Sequence, residues 1–90
     1  MKIVKVIQEA HEDGISFIAY ANNGLNIIST GHDGFVKIWD LRNYKVVAEI
    51  ENGKNKKYDE GIICLATHSQ APFFASGGAD CIINIYELNL

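Results

Sequence analysis

The chain has 90 residues, 48% of them apolar and 21% charged, with a net charge of −3 and a pI near 5.5. This composition is that of an ordinary folded domain and gives no sign of disorder, while its acidity argues against non-specific nucleic-acid binding, which needs a basic face. No apolar run approaches the roughly 18 residues of a membrane span, and the apolar stretch in MKIVKVIQEAHED is too short for a secretory signal.

Taken in chain order, the apolar runs are short, rich in β-branched and aromatic residues, and most of them end at Gly, Asn or Asp, as strands do. Eight strands are predicted: Lys2–Ile7, Ile15–Ala21, Asn26–Ser29, Val36–Leu41, Lys45–Glu51, Ile62–Thr67, Phe73–Ser76 and Ile82–Leu88. Turn signals fall between them at Asn22-Asn23-Gly24, His32-Asp33-Gly34, Arg42-Asn43 and Ala79-Asp80-Cys81. No segment holds a helical period. Pro72 stands just before a strand, where its missing N–H is tolerated.

Two of these segments are copies. Gly31–Leu41, GHDGFVKIWDL, returns 47 positions later as Gly78–Leu88, GADCIINIYEL. The same offset, without a gap, pairs Gly14 with Gly61, Ile15 with Ile62, Ala19 with Ala66 and Ser29 with Ser76. A period of about 45 residues suits the four-stranded blade of a β-propeller. The expected fold is therefore all-β, with about two four-stranded antiparallel blades in an incomplete ring. Residues 10–51 supply a complete blade and residues 58–90 a three-stranded last blade. Residues 2–8 read as the outer strand of a preceding or closing blade, since Lys2–Ile7 resembles Val46–Ile50. Propellers typically take four to eight blades, so three accounts stay open: the C-terminal part of a longer chain, several chains closing one ring, or a truncated piece with exposed faces. The first is favoured.

His11, Ser29, Asp33 and Trp39 form the main polar constellation. A His before the innermost strand, a Ser in the second, an Asp in the tight turn and a Trp in the third resemble the WD40 repeat. That resemblance implies a hydrogen-bonded relay from Trp through Ser and His to Asp. The residue types suit it: indole donates, the hydroxyl and imidazole both donate and accept, and the carboxylate accepts. The second copy keeps Ser76 and Asp80, but Tyr86 replaces Trp39 and Tyr58 stands where His11 would be. That blade is expected to rest on apolar packing of Ile62, Leu65, Phe74, Ile83 and Ile85.

Two chemical readings of the same residues are set aside. Ser29, His11 and Asp33 share the residue types of a hydrolase triad, but the repeat already accounts for all three. His32, His68, Cys64 and Cys81 lack the spacing of a zinc site. No cofactor, metal site or catalytic residue is expected, and the two cysteines read as reduced thiols of a cytoplasmic protein.

A longer likeness covers nearly the whole chain. GKNKKYDEGIICLATHSQAPFFASGGADCIINIYEL resembles the final blade of striatins, through Lys56-Lys57, Asp59-Glu60, Ala66-Thr67-His68 and Ala75-Ser76-Gly77-Gly78-Ala79-Asp80. The blade containing IISTGHDGFVKIWDL fits as well. The resemblance implies a non-catalytic scaffold whose partners are proteins: protein phosphatase type 2A, kinases of the sterile-20 class and Mob-type adaptors. The coiled coil and calmodulin-binding segment of that family have no counterpart in these residues. The alternative is a generic WD40 adaptor, such as a ubiquitin-ligase substrate receptor. The expected contact face gathers Glu9–Gly14, His32–Gly34, Asn52–Gly61 and Ala79–Cys81, with His32, Lys56, Lys57 and Tyr58 as candidate partner contacts.

Overall fold

A computed structural model describes residues 1–51, 62–68, 70–78 and 81–88. Within them the chain forms seven strands: β1 (Ile15–Ala21), β2 (Asn26–Gly31), β3 (Phe35–Asp40), β4 (Lys45–Glu51), β5 (Ile62–Thr67), β6 (Phe73–Gly78) and β7 (Ile83–Glu87). They make an antiparallel sheet in the order β1-β2-β3-β4 and a second in the order β5-β6-β7. The all-β class and the two blade-like sheets agree with the sequence.

Turn chemistry sets where each strand stops. Asn22 and Asn23 both adopt φ 54° in a short 3-10 turn, a left-handed conformation that Asn tolerates better than most side chains. Between β2 and β3 the chain reverses through Gly34 at φ 84°, whose N–H donates to the Gly31 carbonyl at 3.1 Å. After β3, Tyr44 N–H closes on the Asp40 carbonyl at 2.7 Å. The side chain of Asp40 also holds Arg42, through the Arg42 N–H (2.8 Å), Nε (3.1 Å) and Nη2 (2.9 Å). This pairing holds the Asp40 carboxyl below its ordinary range.

Strand register decides the two faces of each sheet, because residues directly opposite share a face. In the first sheet Ala19, Ile28, Ile38 and Ala48 lie in one row and Phe17, Thr30, Val36 and Ile50 in the next. Their face meets the second sheet. The core is Ile28, Val36, Ile38 and Phe74, with Leu65, Tyr86 and Leu88 packed against it from the second sheet. Full burial of Ile28, Val36, Ile38 and Phe74 stabilises the pair of sheets by about 1.5–3 kcal/mol each. The rings of Phe74 and Tyr86 stack at 4.6 Å. The other face of the first sheet carries Ile18 and Tyr20, with Ile27, Ser29, Lys37 and Trp39 in the same rows.

One predicted element is corrected. Lys2–Ile7 forms no strand, and residues 1–9 are exposed throughout. A strand exists only as part of a ladder, and this segment pairs with none of the described strands. Lys5 Nζ lies above the Tyr44 ring, 5.7 Å from its centroid. β1, β4 and β5 match the predicted bounds, and elsewhere the bounds shift by one or two residues: β2 and β6 run on to the glycines, β3 covers Phe35–Asp40 and β7 loses one residue at each end.

Candidate functional site

The polar groups of the first sheet converge where β1, β2 and the β2–β3 turn meet. Trp39 Nε1 donates to Ser29 Oγ at 2.8 Å. Ser29 Oγ lies 2.8 Å from His11 Nε2, and His11 Nδ1 lies 3.1 and 3.2 Å from the two carboxylate oxygens of Asp33. Trp39, Ser29 and His11 are all buried. Proton placement follows from the partners. The carboxylate only accepts, so Nδ1 carries the proton toward it, and Nε2 accepts the Ser29 hydroxyl hydrogen.

Asp33 is anchored from two further directions. It accepts from the N–H of Phe35, two residues on in the turn, and from the N–H of Glu12, beside His11, both at 3.0 Å. Burial alone would push its carboxyl up. The Phe35 and Glu12 donors, with His11, outweigh that and hold it below the ordinary 3.8. The constellation thus ties the entry to β1, the β2–β3 turn and the middle of β3 into one unit.

In the sequence Gly31 stands out only as a repeated residue, and the structure supplies its reason. A Cβ there would fall within 3 Å of the His11 ring and of Asp33 Oδ1. The glycine makes room for the His11–Asp33 hydrogen bond beside it. Sequence reasoning also missed the buried Asn26, whose Nδ2 donates to the Trp39 carbonyl at 3.1 Å, and the buried Thr30, whose hydroxyl pairs with that of Ser16 at 2.8 Å. Both lie inside strands, where alternation marks a face but names no partner. No buried side-chain polar atom among the described residues is left without a hydrogen bond.

In the second sheet Ser76 Oγ meets Tyr86 OH at 3.2 Å, a single hydroxyl pair in the place of Trp39 and Ser29. Asp80 and Tyr58 lie outside the described residues, as do Lys56 and Lys57. His32 is exposed beside the tight turn, and its N–H donates to the Gly14 carbonyl at 3.1 Å. At the opposite end of the sheets a cleft of about 300 Å³ opens between them, lined by Asn22, Asn23, Thr67, His68, Pro72, Phe74 and others. No sequence signal marks it, since it exists only where two turns from different sheets come together. Among the described residues no group of three or more His, Cys, Asp or Glu is placed to hold a metal ion. No helix there is long and apolar enough to cross a membrane.

Comparison with known proteins adds a family to this geometry. The family model described as WD domain, G-beta repeat matches residues 1–40 and 53–87. The chain is 38% identical over 76 residues to the Striatin homolog of Dictyostelium discoideum, covering 84% of this chain and 9% of that protein. It is 35% identical over 77 residues to human Striatin-3, covering 86% and 10%. The chain thus spans only about a tenth of the length of these curated relatives. Among solved structures, the computationally designed Ika4 protein superposes with a TM-score of 0.72 at 18% identity, over 90% of this chain and 45% of that one, which shows a shared fold alone.

Proposed function

The chain belongs to the WD domain, G-beta repeat family, and from that premise we propose that it is a non-catalytic protein–protein interaction scaffold of the striatin kind, recruiting partners to a phosphatase–kinase signalling complex. The observation that carries this reading is the 30–38% identity to striatins, which extends across both sheets instead of stopping at the repeat signature. Its expected partners are proteins: protein phosphatase type 2A, sterile-20-class kinases and Mob-type adaptors. Residues 10–51 and 58–90 act as successive blades of the scaffold. The contact face is the end carrying His32, with Lys56, Lys57 and Tyr58 as the further contact candidates.

The geometry supports a structural role for the Ser29–His11–Asp33 set over a hydrolytic one. Ser29 Oγ is buried and already receives the Trp39 N–H. An attacking hydroxyl needs an open approach to a substrate carbonyl beside donors for the developing oxyanion, and here the indole fills that approach. Cys64 and Cys81 are both exposed.

Affinity purification of the tagged protein from its own cells tests the proposal. Sterile-20-class kinase and phosphatase 2A subunits should be recovered, and a His32→Glu variant should lower their yield several-fold. Recovery of ubiquitin-ligase subunits in their place would overturn the proposal in favour of a substrate receptor.

A further inference from the structure

The cleft at the end of the sheets away from His32 has walls of different chemistry. One wall is the β1–β2 turn with Asn22 and Asn23, and the other is the end of β5 with Thr67 and the following His68. The opening continues past these four residues to Tyr20, so it forms a groove along the seam between the sheets. Ile28, Pro72, Phe74 and Leu88 make its apolar side. Among the described residues that line it there is no Lys, Arg, Asp or Glu. A phosphate or carboxylate ligand would call for charged donors, and the groove offers neutral ones.

The polar atoms of both walls are set by hydrogen bonds behind them. The Trp39 carbonyl only accepts, so the buried Asn26 turns its Nδ2 toward it at 3.1 Å. That leaves Asn26 Oδ1 to accept from Asn22 Nδ2 at 2.9 Å, and Asn22 keeps its Oδ1 as an acceptor. Across the groove, His68 Nδ1 accepts from the N–H groups of Gln70 and Ala71, both at 3.0 Å. Nδ1 is therefore bare and the ring proton sits on Nε2, a donor. One wall thus offers an acceptor and the other a donor, each fixed before any ligand arrives. The N–H and C=O of a trans peptide link point in opposite directions and must both be satisfied, which matches such a pair of walls.

We propose that this groove binds a short, extended, uncharged segment of a partner protein. Main-chain N–H of the segment donates to Asn22 Oδ1, a main-chain carbonyl accepts from His68 Nε2, and one aliphatic side chain packs against Phe74 and Leu88. A helix would satisfy its main chain internally and leave the two walls unused. The volume of about 300 Å³ is at the small end for a ligand site, which suits a few residues of peptide. Because Asn22 and His68 are already held in place, binding costs little ordering on this side. The groove lies at the other end of the sheets from the His32 face, so the proposal holds whichever proteins that face recruits.

Nuclear magnetic resonance titration of the full isotope-labelled chain tests it, with an end-capped pentapeptide of four alanines around a central leucine as the probe. The signals of Asn22, Asn23, Thr67 and His68 should shift saturably. Asn22→Gly keeps the left-handed backbone of φ 54° while removing the acceptor, and should weaken binding about five- to tenfold, the worth of one hydrogen bond. Thr67 is exposed, so Thr67→Phe should stay folded by circular dichroism, fill the groove and abolish the shifts. The same probe N-methylated at each link in turn should lose about five- to tenfold at one link, which a purely apolar cleft would not show. This last comparison uses the parent chain and decides the matter even where a variant fails to fold. Absence of a saturable shift would overturn the proposal, as would N-methylation that matters at no link. Inorganic phosphate shifting the same signals at the same concentration would also overturn it, in favour of an anion site.

Discussion

Replacing His11 by alanine removes two bonds of the relay at once. The bond to Asp33, at 3.1 Å, involves a charged partner and is worth about 1.5–3 kcal/mol, and the bond to Ser29, at 2.8 Å, about 0.5–1.5 kcal/mol. Two features bound the total. Asp33 keeps the N–H donors of Phe35 and Glu12, so no bare carboxylate is left behind. Ser29, by contrast, loses the acceptor of its hydroxyl hydrogen in a buried place, which adds to the loss. The expected cost of His11→Ala is about 3 kcal/mol. The internal control is Ser76→Ala, which removes one neutral hydroxyl pair at 3.2 Å and should cost about 0.5–1 kcal/mol. Urea unfolding followed by far-ultraviolet circular dichroism measures both, with Trp39 fluorescence reporting on the first sheet. A His11→Ala loss below about 1 kcal/mol, or one equal to that of Ser76→Ala, would refute the view that the relay holds the first sheet's turns in place.

The other expectations concern the same corner of the fold. Gly31→Ala should destabilise by about 1–3 kcal/mol through overpacking, because its Cβ meets the His11 ring and the Asp33 carboxylate. Gly77→Ala should cost less, since the nearest atom to its Cβ is the Cys64 sulfur at 3.0 Å, the end of a movable side chain; equal urea midpoints would contradict this. Asp33 titrates below its ordinary 3.8 when folded, so its contribution is complete above that value and disappears as pH falls through the lowered folded value. Asp33→Asn should therefore be less stable at neutral pH and lose less than the parent on acidification through that window. Parallel acid profiles of the urea midpoint would count against it.

Much of this molecule was legible in the order of its residues. A strand's identity depends on local pattern and its ends on turn chemistry, so alternating β-branched runs punctuated by Asn, Asp and Gly located seven of the eight predicted strands. His11, Ser29, Asp33 and Trp39 could be picked out together because each occupies a distinct place relative to a strand or turn, and the 47-residue offset separated the meaningful positions from the rest. Lys2–Ile7 shows where such reading stops. Its pattern is that of a strand, but a ladder needs a neighbour, and pattern says nothing about whether a neighbour is present.

The sequence by itself therefore determined the all-β class, the repeat and the chemical types of the relay. Only the tertiary structure decided what covers what. Val36 and Ile83 are nearly the same residue in the same place, yet one lies under a second sheet and the other is bare. Burial belongs to a pair of surfaces, and no single strand encodes it. The same holds for Gly31, whose missing Cβ acquires meaning only when His11, 20 positions earlier in the chain, is folded back against Asp33.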